Sequence, residues 1–326
     1  MKPVRRRELI RMAAGVGAAG IGLPTWAQDY PGKPIRLVVP TPPGSGPDVD
    51  SRQVAQHVGA LLGQTVLVDN RPGASTRIAT ELVAKAAPDG YTLLLGTPSL
   101  ATAPSLYDKL PFDARRDLVP LSLLSVTRYT LTANAAVAAK TPADYAALTR
   151  SDPAQANVAT YGIGTLPHLA GAWFATASGA DFKFIHYNSS SPFTDLMAGQ
   201  TQAVFDAMLP VIGGVKSGRL RTLALSGKTR HPLMPDVPTF AEAGFPQFDP
   251  MVWVGVLAPA GTPKAIVDKL GAAFGKASRL PETVAFRHSV GSDAVGSTPE
   301  EFGAFLDAER DKWGAVIRRL GLKLEG

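Results

Sequence analysis

The chain has 326 residues, no cysteine and a formal net charge of +6 at pH 7. This length predicts one large domain or two medium domains, and a chain without cysteine has no disulfide or thiolate chemistry. Positions 1–27 hold five basic residues and one acidic residue, so they account for +4 of the charge and leave +2 for the rest. A charge of +2 spread over segments of mixed sign makes no basic stripe, so we exclude nucleic acid as a partner.

The first 27 residues have the order of a secretory signal peptide. A basic stretch is followed by an apolar stretch at 12–23 that is rich in alanine and glycine, and a small residue precedes the expected cleavage near Ala27. The run Arg-Arg-Glu-Leu-Ile-Arg at 6–11 also follows the twin-arginine pattern. The alternative is an uncleaved anchor, although the apolar stretch is short and glycine-rich for a membrane span. We predict export, with the twin-arginine and general secretory routes both open.

The next segment, 35–62, predicts a strand, a loop and a helix. The apolar run at 35–39 ends at a loop rich in proline and glycine, and apolar residues then recur at helical spacing, with Asp48 or Asp50 placed to cap the helix. The first backbone N–H groups of a helix have no partner within it, so the loop at 40–48 is a candidate anion site. The alternative is an ordinary turn between strand and helix.

This alternation continues along the first part of the chain. Strands are predicted at 65–69 and 91–95, with a helical stripe between them and a polar loop at 96–99. Strands that alternate with helices favour a parallel sheet, in which ligands bind beyond the carboxyl ends of the strands. The loops at 40–48 and 96–99 both belong to that edge.

A second series begins after an apolar stretch at 120–133, which is longer than an ordinary strand and predicts one shared between two domains. A strand at 157–161 leads to a glycine loop at 162–165 and a helix with Pro167 in its first turn, a second candidate anion site. Further strands are predicted at 182–187 and at 203–205, the latter ending at Asp206.

The two series together predict a bilobal clamp of two α/β domains, with a helix at the end of the chain that opens on a capping box at Thr298. The apolar run at 251–258 is the second of two strands that cross between the domains. We expect a first domain at 28–126 and 252–326, and a second domain at 127–251.

Eight spaced motifs in this order resemble the periplasmic solute receptors of tripartite tricarboxylate transporters, the Bug family. They include Tyr-Pro-Gly-Lys-Pro-Ile-Arg at 30–36, and the full set lies at 30–36, 39–48, 70–74, 87–91, 110–113, 168–171, 257–263 and 296–301. The resemblance implies a type II periplasmic binding fold, a periplasmic monomer without catalysis or cofactor, and a small carboxylate held between the domains. It also implies the large and small membrane subunits of the transporter as partners.

The resemblance further implies which residues contact the ligand. By position in the motifs, they are Gly44, Ser45, Gly46, Asp48 and Thr97 in the first domain and Gly164, Thr165, His168, Ser189, Ser190 and Asp206 in the second. Two of them have an alternative role without ligand contact. For His168 it is a hydrogen bond to its own loop, and for Asp206 it is a cap on the helix near Pro210.

At four positions the chain departs from the family pattern. The family usually has an aromatic residue at Thr41, a glycine at Ser45 and a small polar residue at Arg77, and often a lysine at Asn188. These departures put extra hydroxyls, at Thr41 and Ser45, and one extra cation near the expected cleft. Dicarboxylates, citrate-like tricarboxylates, aromatic carboxylates and acidic amino acids all stay open as ligands. We hypothesise that Arg77 meets a second, distal carboxylate, the alternative being a solvated arginine at a helix start.

Two other functional classes were weighed against a transport receptor. An exported enzyme is disfavoured because the chain has no G-x-S-x-G elbow, no Walker loop and no complete G-x-G-x-x-G motif. Its histidines also lack the spacing of a metal site. A receptor that reports the ligand to a membrane sensor kinase would use the same clamp, so the sequence does not separate it from transport.

Overall fold

The computed structural model of the protein describes residues 30–187 and 191–324. The predicted signal peptide and the candidate residues Ser189 and Ser190, together with Asn188, lie outside the described residues.

The described residues form ten strands and ten α-helices. The strands are β1 (Ile35–Val39), β2 (Val66–Asn70), β3 (Thr92–Gly96), β4 (Leu118–Asn134), β5 (Asn157–Thr160), β6 (Lys183–His186), β7 (Ala203–Ala207), β8 (Leu220–Leu225), β9 (Met251–Pro259) and β10 (Ser292–Ala294). The helices are α1 (Gly46–Leu62), α2 (Arg77–Ala84), α3 (Ser99–Leu106), α4 (Pro142–Ser151), α5 (Leu166–Ser178), α6 (Phe193–Ala198), α7 (Met208–Lys216), α8 (Lys264–Ser278), α9 (Pro281–Ser289) and α10 (Pro299–Leu320).

The strands form one mixed sheet in the order β2-β1-β3-β9-β4-β7-β5-β6, with β8 and β10 also paired to β4. Strands β1, β2 and β3 are parallel at one end, and β5, β6 and β7 are parallel at the other. Strand β4 joins the two groups, because its first part pairs with β9 up to Arg128 and its last residues, from Tyr129, pair with β7 and β8. The long apolar stretch of the sequence is therefore one strand shared between two groups of strands.

Strand β9 returns the chain to the first group. It pairs with β3 and with the first part of β4, so among the described strands β4 is the one that pairs within both groups. We propose that the change of partner between Arg128 and Tyr129 divides the molecule into a first lobe (30–128 and 251–324) and a second lobe (129–187 and 191–250).

Helices cover both faces of the sheet in the first lobe. Leu270 and Phe274 of α8 pack with Val54 of α1 in one buried cluster, and α10 packs with α3 in another around Trp313. Helix α10 approaches β9 closely at Gly255, where a Cβ would lie 2.3 Å from the ring of Phe302. The approach therefore requires a residue without a side chain.

The helix starts agree only partly with the sequence-based expectations. Helix α10 does begin with a capping box between Thr298 and Glu301. The expectation that Asp48 or Asp50 caps α1 is wrong, because the helix begins at Gly46 with Ser45 at the N-cap. Pro47 occupies the first turn, where its missing N–H costs nothing, so the helix starts earlier than the apolar spacing suggested. No helix within the described ranges is both long and apolar enough to cross a membrane.

Candidate functional site

The two loops expected to bind an anion have the same backbone geometry. Gly44, before α1, has φ +80°, and Gly164, before α5, has φ +77°. Both angles lie in the left-handed region that glycine adopts without steric cost. The residue after each glycine is the helix N-cap, and its hydroxyl donates to the carbonyl three residues earlier. These bonds are Ser45 to Pro42 and Thr165 to Gly162, both 2.7 Å long.

Each glycine also donates its backbone N–H to the side chain four residues later. Gly44 donates to Asp48 Oδ2 at 2.8 Å, and Gly164 donates to His168 Nδ1 at 3.1 Å. The two lobes therefore stabilise equivalent loops with an acceptor at the same position, which is a carboxylate in one lobe and an imidazole in the other.

The carboxylate of Asp48 has its hydrogen-bond partners within the protein. It is 1% exposed, and besides Gly44 it accepts from Arg52 Nε at 3.1 Å and from Asn70 Nδ2 at 2.8 Å. Burial acts to raise its pKa, but the hydrogen bonds from Arg52, Gly44 and Asn70 hold the pKa below its usual value. Asp48 is therefore an anion that stabilises the first loop from inside.

His168 is a neutral acceptor. It is 7% exposed, and burial, with a smaller contribution from nearby His186, lowers its pKa to about 4. The Nδ1 atom accepts from Gly164, so we assign the proton of the neutral ring to Nε2. Its ring packs edge-on against Phe184, with ring centres 4.8 Å apart. The hydrogen bond to the loop agrees with the structural role that was the sequence-based alternative.

A cavity of about 330 Å³, here called the inner cavity, lies between the lobes. It is lined by Ser75, Thr76, Thr97, Pro98, Ser99, Thr102, Ala103, Leu106, Tyr107, Tyr129, Ile163, Gly164, Thr165, Leu166, Val252 and Leu324, among which there is no charged residue. Three helices begin at this wall, since Arg77 of α2 follows Thr76, and Ser99 and Leu166 are the first residues of α3 and α5. None of the three has an acidic residue in its first turn.

Hydroxyl groups cluster on the first-lobe side of the inner cavity. Ser99 Oγ lies 2.9 Å from Thr97 Oγ1 and is also hydrogen-bonded to Thr76 Oγ1. Thr76 ends a left-handed turn in which Ala74, Ser75 and Thr76 have φ of 46°, 53° and 74°. Such angles cost of order 1 kcal/mol or more per residue outside glycine, and they are concentrated at functional sites.

Sequence reasoning missed Thr76 and Ser99 as lining residues. The local signal was available, because the turn after Asn70 is followed by two hydroxyl residues, and Ser99 closes the polar loop after β3. What the pattern lacked was the left-handed turn, which no glycine marks at 74–76.

A second cavity of about 470 Å³, here called the apolar cavity, also lies between the lobes. Its lining residues are Gly44, Gly46, Pro47, Val49, Asp50, Ser125, Thr127, Ala207, Leu209, Pro210, Val252, Trp253, Val254, Phe286, Arg287, Val290 and Ser292. Val252 lines both cavities, so the two adjoin at the middle of the sheet.

Asp206 lines neither cavity and is 7% exposed. Its Oδ2 accepts from the hydroxyl of Tyr161 at 2.8 Å, and its Oδ1 accepts from the N–H of Ala207 at 2.7 Å. Burial raises the pKa of Asp206 to about 6, although both hydrogen bonds act to lower it. Tyr161, which precedes the second loop, was not singled out from the sequence.

Arg77 lies on a third, outer pocket with Asp108, Lys109, Leu110, Pro111, Lys323 and Leu324. Its Nε donates to the carbonyl of Ala74 at 3.0 Å, and its guanidinium lies 4.4 Å from the ring centre of Tyr107. Leu324 lines both this pocket and the inner cavity. Leu324 and Tyr107 therefore form a wall between Arg77 and the inner cavity.

The structure thus divides the candidate residues into groups. Thr97, Gly164 and Thr165 line the inner cavity, and Gly44 and Gly46 line the apolar cavity. Thr41 and Ser45 line neither cavity; their hydroxyl oxygens are 2.8 Å apart. Within the described ranges no cluster of three or more His, Cys, Asp or Glu residues could hold a metal ion.

A two-lobed α/β fold with uncharged, hydroxyl-rich space between the lobes is the architecture of a solute-binding protein. A family model described as "Tripartite tricarboxylate transporter family receptor" matches residues 51–322. The chain belongs to this family of receptors. It is 35% identical to Protein BugT of Bordetella pertussis over 313 residues, which cover 95% of this chain and 96% of BugT.

Solved structures lead to the same family. One, described as a periplasmic transporter, is 34% identical with a TM-score of 0.79 and covers 90% of this chain and 99% of its own. Rpa4515 of R. palustris, solved with adipate, is 28% identical with a TM-score of 0.79 over 91% of this chain and 100% of its own. MatC of Rhodopseudomonas palustris, solved with malate, is 28% identical with a TM-score of 0.75 and covers 88% of this chain and 100% of its own. The family is one of transporter receptors rather than of enzymes.

Proposed function

We propose that this protein captures a small carboxylate between its two lobes in the periplasm and, as a monomer, delivers it to the membrane subunits of a tripartite tricarboxylate transporter. Family membership supports the receptor role, and the structural relatives solved with adipate and malate support a carboxylate as the ligand. The observation that carries the proposal is that three helices without an acidic first-turn residue begin at the wall of the inner cavity.

These helix starts are suited to an anion because the aligned peptide dipoles place partial positive charge at a helix N-terminus. A charge at a partly buried helix N-terminus gains up to about 2 kcal/mol. Hydrogen bonds from hydroxyls such as those of Thr97 and Ser99 to a charged group add about 1.5 to 3 kcal/mol each. After the cost of association, micromolar affinity, about 8 kcal/mol, is within reach without an arginine in the cavity.

The size of the inner cavity also supports a small ligand. Its volume of about 330 Å³ lies at the lower end of the range of small-molecule sites. The absence of carboxylates from its described lining means that a ligand anion meets no repulsion there.

The proposal is tested by thermal unfolding of the mature protein, residues 28–326, after refolding to remove bound ligand. The panel contains aliphatic, tricarboxylic, aromatic and amino carboxylates. A ligand at a hundred times its dissociation constant adds about 2.7 kcal/mol, which shifts the midpoint by several degrees. No shift with any carboxylate at millimolar concentration would contradict the proposal.

A variant pair connects the shift to the inner cavity. Thr97→Val removes one hydroxyl from the wall at nearly constant volume, and we expect about tenfold weaker binding in calorimetry, since a hydrogen bond to a charged group is lost. Thr176→Val makes the same change on α5, where the hydroxyl only donates to the carbonyl of Ala172, and should bind like the wild type. The sensor-kinase alternative is separated by crosslinking in intact membranes, which identifies the bound membrane partner.

A further inference from the structure

The apolar cavity differs from the inner cavity in what its walls offer to a ligand. Seven large apolar side chains are exposed within the described residues. Ile163, at 56%, lines the inner cavity, and two others, Val49 at 42% and Leu209 at 47%, line the apolar cavity. They come from opposite lobes, Val49 from α1 and Leu209 from α7, and Phe286 and Val290 of α9 add to the same wall. Exposed apolar groups on both sides of a cleft are characteristic of a ligand-binding groove.

The charged residues of this wall neutralise each other. Arg287 Nε donates to Asp50 Oδ1 at 2.8 Å, and Arg287 Nη2 donates to Asp50 Oδ2 at 3.1 Å. Arg287 is 1% exposed, and its Nη1 donates to the carbonyl of Leu124 at 2.7 Å. The pair therefore presents no unmatched charge to a second carboxylate.

The hydroxyls of the wall also have partners within the protein. Thr127 Oγ1 and Ser292 Oγ lie 2.8 Å apart, and Ser292 also donates to the carbonyl of Val126 at 3.1 Å. Ser125 Oγ lies 3.4 Å from Asp50 Oδ2. The indole Nε1 of Trp253 also has no hydrogen-bond partner among the described residues, but it is enclosed rather than open to the cavity. A charged group placed here would therefore lose its water without reaching a free side-chain donor, whereas a hydrocarbon or aromatic group would lose nothing.

The apolar cavity adjoins the inner cavity at Val252, and Gly44 and Gly46 of the first loop line it. Given the proposed function, on which this step rests, we infer that the apolar cavity holds the hydrocarbon or aromatic part of a carboxylate whose charged group lies in the inner cavity. The preferred ligand is then a carboxylate with an apolar tail, and a second charge at the end of that tail weakens binding.

Hexanoate and adipate test this inference, because both have six carbons and adipate has a second carboxylate where hexanoate has a methyl group. Calorimetry on the mature wild-type protein should give at least about tenfold tighter binding of hexanoate. Leu209→Asn keeps the side-chain size and adds polarity, and it should weaken hexanoate about tenfold while changing adipate less than about twofold. Val49→Thr should act in the same direction. Leu233→Asn is the matched control, because Leu233 is similarly exposed at 41% and lines neither cavity.

Three outcomes contradict the inference. Tighter binding of adipate than of hexanoate by the wild type overturns it while leaving the proposed function intact. Equal weakening of both acids by Leu209→Asn also overturns it, because the residue would then serve only the closure of the lobes. If no carboxylate of the full panel binds, the proposed function fails first and the inference fails with it.

Discussion

The loops at 42–48 and 162–168 are equivalent in backbone and opposite in electrostatic role. In both, a left-handed glycine precedes a hydroxyl N-cap and donates its N–H to the side chain four residues on. In the first lobe that side chain is Asp48, which is ionised and paired with Arg52. In the second lobe it is His168, which is neutral at pH 7 because burial lowers its pKa to about 4.

This difference determines which helix start is available to a ligand. An anion near a helix N-terminus is stabilised by the helix dipole, and Asp48 already occupies that position in the first turn of α1. Helix α5 has no acidic residue in its first turn, so its positive end remains uncompensated. The first loop is therefore stabilised by an internal anion, whereas the second is suited to an anion that comes from outside.

The largest effect is expected for Asp48→Ala, which removes the internal anion. The N–H of Gly44 and the guanidinium of Arg52 would lose the buried carboxylate, and the amide of Asn70 would keep only the carbonyl of Thr41, which together costs about 3 kcal/mol in unfolding free energy at pH 7. Because the pKa of Asp48 is lowered in the folded protein, its contribution is present above the unfolded pKa and is lost as pH falls through the folded value. The difference between variant and wild type should therefore shrink below pH about 4.

Urea unfolding at pH 7 and at pH 3.5 measures this difference. Asp268→Ala is the control, because Asp268 makes an exposed pair with Lys264 at 2.7 Å and its loss should leave stability close to that of the wild type. Equal effects of the two substitutions would mean that Asp48 does not stabilise the first loop.

A somewhat smaller effect is expected beside the second loop, for Asp206→Asn. The pKa of Asp206 is raised from 3.8 to about 6, so its stability contribution is full below pH about 4 and is lost as pH rises through 6. A shift of two pKa units corresponds to about 2 to 3 kcal/mol. The asparagine variant does not titrate and so does not lose stability in this way. Its unfolding free energy relative to that of the wild type should therefore rise by about 2 to 3 kcal/mol between pH 4 and pH 7.

Chemical unfolding across this pH range provides the measurement, and Tyr161→Phe is the companion variant. The Tyr161 hydroxyl donates to Asp206 and helps to keep its pKa down, so its removal should move the pH midpoint of the stability loss upward. A stability difference between Asp206→Asn and wild type that does not vary with pH would show that Asp206 does not titrate there.

His168→Asp converts the second loop to the charge pattern of the first. A carboxylate in the first turn of α5 should repel a bound carboxylate and reduce affinity about thirtyfold, or about 2 kcal/mol. His168→Asn is the neutral control, since its amide oxygen can still accept from Gly164. Calorimetry with any carboxylate that the wild type binds decides the matter, and equal affinities of the two variants would exclude the start of α5 as the anion site.

The smallest effect is expected for Arg77→Ala. The hypothesis of a distal carboxylate predicts a loss of affinity confined to dicarboxylates, of about twofold to threefold, because the guanidinium is already held by Ala74 and Tyr107. Lys109→Ala, on the same outer pocket, is the control. Unchanged affinity for every carboxylate would refute the hypothesis for Arg77.

Local sequence patterns were sufficient to predict the strand, glycine loop and helix units. Gly44 and Gly164 are readable because only glycine adopts their φ freely, and Pro167 is readable because a proline fits the first helical turn. Pro47 fits the same position, but it was assigned to the loop, so the start of α1 was predicted too late. The length of β4 likewise indicated a strand shared between two groups of strands, and the spaced motifs indicated the family that the comparisons then identified.

Whether each polar side chain is free to contact a ligand was decided by the tertiary structure alone. Each of three carboxylates accepts a hydrogen bond from a residue far away in the chain. Asp48 accepts from Asn70, 22 residues away, Asp206 accepts from Tyr161, 45 residues away, and Asp50 accepts from Arg287, 237 residues away. A local pattern places a carboxylate at a loop but does not encode whether a distant donor neutralises it. Tertiary contacts therefore left the described lining of the inner cavity without charge and paired the charged groups and hydroxyls of the apolar cavity with each other, and the proposed ligand preference rests on these two properties.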